Sequence, residues 1–302
     1  MNIEQRQTET SLASTAGIDT WDDARILAVL IEGQERAIAA VSAAAPQISQ
    51  AATLIAERLA AGGRLIYAGA GASIRIAVQD GSELPATFGM AEDKILYCIA
   101  GGRGAMFDTL ADAEDDAEAG ARDAAISKPG DIVIAIAASG ATAYTIAAAS
   151  EARRQGADVI TVVNNPGSAL GKLGHIEIVL NSGPEVIAGS TRLGAGTAQK
   201  AALNLLSTLA HIKLGAVHDG MMVNVQAGNL KLRNRAIGIV ARIAGVDEKR
   251  AALALDNSGG HVKASVLMCA GAMSADAAHR LLAGTGGNLR LALSRRRERS
   301  PA

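Results

Sequence analysis

The chain has 302 residues, a hydrophobic share of 49% and a formal net charge of −1. That length accommodates one large or two small domains with a substantial buried core, and the balanced charge argues against nucleic acid as a partner. Aromatic residues make up only 2% and alanine is abundant, so the core is expected to be aliphatic, small-residue and helix-rich.

Residues 1 to 20 are polar and read as an ordered arm or a loose tail, with Thr8 and Glu9 near the start. Trp21 to Ala44 carries apolar residues at helical spacing, and Pro46 opens a second helix that ends before Gly62-Gly63. Leu65 to Ala68 is a short apolar strand. It breaks at Gly69-Ala70-Gly71-Ala72-Ser73 and resumes as a helix. Strand, glycine turn and helix together point backbone N–H groups at an anion, although Gly-x-Gly alone also occurs in ordinary turns. The third glycine of a dinucleotide motif is replaced by Ile74.

Lys94 to Ala100 is a second strand. Met106 to Ala125 reads as one very acidic helix, and Asp131 to Ala137 as a strand buried on both faces. Ile132 to Ser150 has no charged residue, but Ser139-Gly140-Ala141-Thr142 interrupts it, so strand, turn and helix are expected rather than a membrane span. Asp158 to Val163 and Ile176 to Leu180 complete five strands alternating with helices, which predicts a doubly wound parallel sheet flanked by helices. Ligands of such sheets bind beyond the carboxyl ends of the strands. From Thr191 onward the pattern is helical, with Ala198, Ala201, Leu205, Leu209 and Ile212 forming one expected buried stripe. Three parts are expected: a helical arm over 1–55, an α/β domain over 56–240 and a small helical bundle over 241–302.

The candidate chemistry lies in two sister turns and two glutamates. Ser73, and Ser139 with Thr142, place hydroxyls at helix starts, which suits a phosphate monoester or, more plainly, N-capping. Glu83, before Leu84-Pro85, is either an acid of raised pKa in apolar surroundings or a solvated surface residue. Glu114 is indistinguishable from the acidic run around it and reads as part of a charged helix face. Glu185 reads as a turn residue, and His218-Asp219 as the start of a helix. The cysteines Cys98 and Cys269 are far apart, and no histidine has metal-ligand spacing, so no metal is expected. This usage, with no signal-peptide pattern, fits the cytoplasm. Arg295 to Arg299 reads as a solvated tail.

Taken together, these segments resemble the N-acetylmuramic acid 6-phosphate etherases, a family with the sugar isomerase (SIS) fold. The strings that carry the resemblance are Thr8-Glu9, Gly69-Ala70-Gly71, Ser82-Glu83, Ala113-Glu114-Asp115 and Ser139-Gly140. The most specific is Gly183-Pro184-Glu185-Val186-Ile187 running through Gly189-Ser190-Thr191-Arg192 to Gln199-Lys200, followed by Asn204 and Ser207. The resemblance implies a homodimeric lyase that uses neither metal nor other cofactor. Its substrate would be an amino-sugar 6-phosphate whose D-lactyl ether is eliminated, with water then added. By position it implies that Glu83 assists the leaving lactate and Glu114 is a second catalytic glutamate, plausible as the C2 base. It further implies that Gly71, Ser73, Ser139, Gly140, Thr142 and Lys200 bind substrate or phosphate, and that the C-terminal bundle is UBA-like. The family's usual arginine at 141 and lysine at 194 are Ala141 and Gly194 here. Those losses leave open a non-catalytic sugar-phosphate regulator, or action on another amino-sugar phosphate.

Overall fold

The structure is a computed structural model that describes residues 7–108, 111–271 and 273–298. Two compact units emerge: residues Met1–Gly81 with Asp93–Leu209, and residues Ser82–Glu92 with Ala210–Ala302.

The first unit is built on β1 (Leu65–Gly69), β2 (Ile95–Ile99), β3 (Ile132–Ala137), β4 (Asp158–Val163) and β5 (Ile176–Val179). These strands form one parallel sheet in the order β2-β1-β3-β4-β5. Every residue of β1 and β3 is buried, as their unbroken apolar runs require of central strands covered on both faces. The chain runs outward from β1 to β2 on one side and returns to β3 on the other. The strand order therefore reverses between β1 and β3, where a crevice opens at the strands' carboxyl ends.

The surrounding helices of this unit are α1 (Asp23–Ala43), α2 (Ala45–Ala60), α3 (Gly71–Phe88, which crosses into the second unit), α4 (Ala117–Ala124), α5 (Ala143–Arg154) and α6 (Gly194–Lys213, likewise shared). Alanine lets them approach closely: Ala148, Ala149 and Ala152 of α5 are fully buried. Tyr144 donates a 2.7 Å hydrogen bond to Asp123, tying α5 to α4.

Several sequence expectations change. The single acidic helix over 106–125 is instead a 3-10 turn at Arg103–Met106, another at Ala111–Glu114, and then α4. Asp112, Glu114, Asp115 and Asp116 repel one another along a helix, and Asp116 caps the start of α4 by accepting from the Ala119 N–H at 2.8 Å. On α6 the buried face is Ala195, Ala198, Ala202, Leu203, Leu206 and Ala210, whereas Leu205 and Ile212 of the expected stripe are 50% and 46% exposed. The run from Arg295 is not a free tail. It starts within α11 (Leu289–Glu298), where Arg295 donates to the Gly284 carbonyl at 2.7 Å; Arg299 lies outside the described residues.

The second unit contains α7 (Leu230–Ala244), α8 (Glu248–Asn257), α9 (Val262–Gly271), α10 (Ala275–Ala283) and α11 around Val240, Leu255, Val266, Leu267 and Ala278. Asn229, Asp247 and Ser274 each cap a helix start by accepting a backbone N–H three residues on. His218-Asp219 does not start a helix. It belongs to a hairpin of β6 (Val217–His218) and β7 (Met221–Met222), whose Asp219-Gly220 turn has positive φ at both residues, the conformation a tight hairpin demands.

Candidate functional site

The crevice between β1 and β3 holds a cavity of about 410 Å³. Its floor is the two turns singled out by sequence. Ala70, Gly71, Ala72 and Ser73 come from the β1–α3 turn; Ala137, Ala138, Ser139, Ala141 and Thr142 come from the β3–α5 turn. Ser73, in the first turn of α3, is only 8% exposed. Thr142 precedes α5 in extended conformation, and its side chain makes no capping hydrogen bond. Ser139 Oγ accepts the Ala141 N–H at 3.2 Å. Two helix starts thus meet across one cavity, each bringing hydroxyl and backbone N–H donors, which is the donor set a phosphate monoester requires. Gly140 does not line the cavity but shapes the turn: its φ is +64°, and a Cβ there would fall 2.2 Å from Ser168 Oγ.

The walls bring in residues distant in sequence. Glu114 and Asp115 enter from the 3-10 turn before α4, and Gly189 and Thr191 from the segment before α6. Glu114 reaches over the floor. A Cβ on Gly71, whose φ is +54°, would lie 2.6 Å from Glu114 Oε1. The carboxylate therefore rests on bare backbone at the positive end of α3. Glu9 enters from the N-terminal arm. Thr8 is fully buried, its carbonyl accepts the Gly189 N–H at 2.9 Å, and its hydroxyl accepts from Asn165 at 3.2 Å. Glu9, Asp115, Gly189 and Thr191 were not singled out as site residues from the sequence. Thr8-Glu9 and Gly189 to Thr191 did stand among the strings that carry the family resemblance, and that was the available signal.

The remaining sequence candidates lie elsewhere. Glu83 is exposed on α3, ten residues beyond Ser73, a rise of about 15 Å along the helix. Lys200 is exposed on α6, and neither residue lines the cavity. Arg75 donates to the carbonyls of Ala105 at 2.8 Å and Asp108 at 3.2 Å, pinning the loop after β2. Among the described residues that line the cavity there is no lysine, arginine or histidine, while Glu9, Glu114 and Asp115 are acids.

Glu185 is not a turn residue in solvent. It is 3% exposed, and its two oxygens accept the Gly194 and Ala195 N–H groups at 2.9 and 2.8 Å. It occupies the start of α6 with the chain's own carboxylate.

Comparison with known proteins agrees with this architecture. The SIS domain model matches residues 108–209, and the model of the glucokinase regulatory protein N-terminal SIS domain matches 47–152. An N-acetylmuramic acid 6-phosphate etherase of Symbiobacterium thermophilum is 47% identical over 88% of this chain and 89% of its own length. The chain belongs to the N-acetylmuramic acid 6-phosphate etherase family. Another etherase, of Deinococcus radiodurans, is 41% identical over 96% of each chain. A solved structure described as a phosphosugar isomerase, from Bacteroides fragilis, shares the fold at TM-score 0.50 and 18% identity, covering 67% of this chain and 98% of its own.

Etherase sequence strings now acquire physical roles. Asn204 and Ser207 donate to Asp80 Oδ1 at 2.7 and 3.0 Å, and Tyr67 donates to its Oδ2 at 2.8 Å. Asp80 is a buried carboxylate supplied with neutral donors. Burial and then the Asp80 charge push Tyr67 well above the usual tyrosine pKa, and Tyr97, for the same two reasons, to about 12. Of the two positions where the resemblance leads one to expect a cation, Ala141 lines the cavity, and Gly194 lies buried at the start of α6.

Proposed function

We propose that the protein is a carbon–oxygen lyase that converts N-acetylmuramic acid 6-phosphate to N-acetylglucosamine 6-phosphate and D-lactate, in peptidoglycan recycling in the cytoplasm. The observation that carries the reading is the cavity itself. A phosphate cradle of two helix starts faces the Glu114 carboxylate, in a chain whose 47%-identical relative is an etherase. In the open-chain sugar the C2 proton is acidified by the neighbouring C1 aldehyde. Glu114 removes that proton. The electron pair forms the C2–C3 double bond as the C3–O bond to lactate breaks, and an acid delivers a proton to the departing oxygen. Water then adds across the double bond, placing hydroxyl on C3 and returning a proton to C2.

Glu83 is the family's match for that acid. It stands outside the cavity, so we assign it to act from a second copy in a homodimer. Leu27, Ile31 and Ile38 on α1 are each 48% exposed or more, and apolar side chains left open on one helix suit a subunit contact.

The test is incubation with N-acetylmuramic acid 6-phosphate in deuterium oxide, following lactate and C2 deuteration by NMR. Lactate release that Glu114→Gln abolishes supports the lyase. C2 exchange without lactate points to another amino-sugar phosphate. Saturable sugar-phosphate binding with neither signal supports a non-catalytic regulator, the reading that the absence of cations among the described lining residues favours.

A further inference from the structure

Glu9 lines the same cavity as Glu114 although the two are separated by more than a hundred residues. The residue is itself exposed, and its neighbours place it on two sides. On one side Thr8 is fully buried and held by Gly189 and Asn165. Asn165 also donates to the Ala138 carbonyl at 2.9 Å, immediately before Ser139, so the arm is fastened to the phosphate turn itself. On the other side Gly189 has φ +74°, and a Cβ there would lie 3.0 Å from Glu9 Oε2. The absent side chain leaves room for the carboxylate.

The cavity's described residues give Glu9 no cation. While the site is open, water can solvate the carboxylate. A ligand that fills the cavity displaces that water, and a desolvated carboxylate must then find other donors. A phosphate group and a lactyl carboxylate offer acceptors and repel it. Sugar hydroxyls and an acetamido N–H offer donors. We infer that Glu9 is a substrate-binding residue that accepts hydrogen bonds from the hydroxyl or acetamido edge of the sugar, so that the phosphate seats at Ser73, Ser139 and Thr142 and C2 is presented to Glu114. This assignment rests on the lyase reading only for the last step; recognition of a hydroxylated sugar phosphate stands without it.

The experiment measures two ligands on wild type, Glu9→Ala and Glu9→Asp. Calorimetry gives the affinity for N-acetylglucosamine 6-phosphate, and thermal shift gives the affinity for inorganic phosphate. Loss of hydrogen bonds to a charged group predicts sugar-phosphate binding weakened about 10- to 100-fold in Glu9→Ala, partly recovered in Glu9→Asp. Inorganic phosphate binding stays equal or tightens, because a negative charge has left the cavity. With N-acetylmuramic acid 6-phosphate, kcat/KM falls by at least a similar factor, because both the affinity and the orientation of C2 depend on the contact. Unchanged sugar-phosphate affinity in Glu9→Ala overturns the inference. So does an equal loss for both ligands, which would show that the residue merely holds the arm. A wild type that binds sugar phosphate but releases no lactate sinks the lyase reading and leaves the binding comparison intact.

Discussion

The Glu114 carboxylate lies where a side chain on Gly71 would have to go: the Cβ of an alanine there would stand 2.6 Å from Oε1. Gly71 also has φ +54°, a conformation that costs an L-residue roughly 1–2 kcal/mol. The two penalties fall on different observables. Gly71→Ala is expected to lower the melting temperature by only a few degrees, since the Glu114 side chain can swing aside. The same swing removes the base from its place, so C2 deuterium exchange is expected to fall at least tenfold. Thermal melts beside NMR exchange rates separate the effects, and a normal exchange rate would remove Glu114 from its proposed role.

Positions 141 and 194, where the family resemblance leads one to expect an arginine and a lysine, are expected to respond in opposite ways to introducing that cation. Ala141 lines the cavity. Ala141→Arg places a guanidinium beside a doubly anionic substrate and is expected to lower KM several-fold, with the gain shrinking as salt screens the attraction. Gly194 is buried, and a Cβ there would lie 3.1 Å from Glu185 Oε2 and 3.5 Å from the Gly33 carbonyl. Gly194→Lys is expected to destabilise the fold without improving KM. Steady-state kinetics at two ionic strengths, with melts, distinguish these outcomes.

The strands and the two turns that meet at the cavity were legible because their signals are local. Ile132 to Ala137 is an unbroken apolar run, and a fully buried strand follows from it. Glu114 was not legible, because nothing within its acidic run distinguishes it; its place is set by Gly71, more than forty residues earlier. Glu185 was misread for the same reason: its partners are the N–H groups of Gly194 and Ala195 across a loop. The buried face of α6 was mistaken because alanines carry most of it, while the larger Leu205 and Ile212, which dominate a hydrophobicity pattern, point outward.

Around Asp80 the buried Tyr67 and the half-buried Tyr97 make stability sensitive to alkali. Tyr97 is pushed up to about 12, first by burial and then by the Asp80 charge, from a reference of 10.0. A raised folded-state value favours the neutral phenol in the folded chain. Its stabilising contribution is therefore complete below about pH 10 and lost as pH rises toward 12. Tyr67 acts in the same direction, and Cys98, pushed up to about 12 chiefly by burial, begins to contribute to the loss near its reference of 9.0. Lys263 has the opposite sign: burial lowers it to about 8, so its contribution rises between there and 10.5. The discriminating measurement is thus a difference. Denaturant midpoints for wild type and Tyr97→Phe between pH 9 and 11.5 are expected to diverge above pH 10, with the variant declining less steeply.

If Glu83 serves a cavity of the second copy, two inactive variants can rescue one another. Glu83→Gln and Glu114→Gln homodimers are each expected to release no lactate. Unfolded together and refolded at equal concentrations, half of the dimers carry one variant of each kind, and each such dimer has one intact site of two. About a quarter of wild-type activity is then expected for a two-fold symmetric assembly. Absence of recovery, with mixed dimers verified by mass spectrometry, would place both glutamates at a site within one copy or discard Glu83.

Glu185 shows how a buried charge can be purely structural. Its carboxylate accepts two backbone N–H groups at the start of α6 and is 3% exposed, the arrangement in which a helix start satisfies an anion without a cation. Glu185→Ala strands both donors in a buried position and is expected to cost about 2–4 kcal/mol, seen as a lower denaturant midpoint with an unchanged slope. Glu185→Gln keeps one acceptor oxygen and gives up the charge, so its loss should be intermediate. Neither Glu185 nor Gly194 lines the cavity between β1 and β3, where phosphate is proposed to bind. Saturating inorganic phosphate should therefore raise the stability of wild type and of both variants by the same increment, as expected for a ligand that binds the folded state elsewhere. A larger increment for Glu185→Ala would mean that phosphate takes the vacated carboxylate position, and that the start of α6 is a second anion site which the wild-type chain fills with its own side chain.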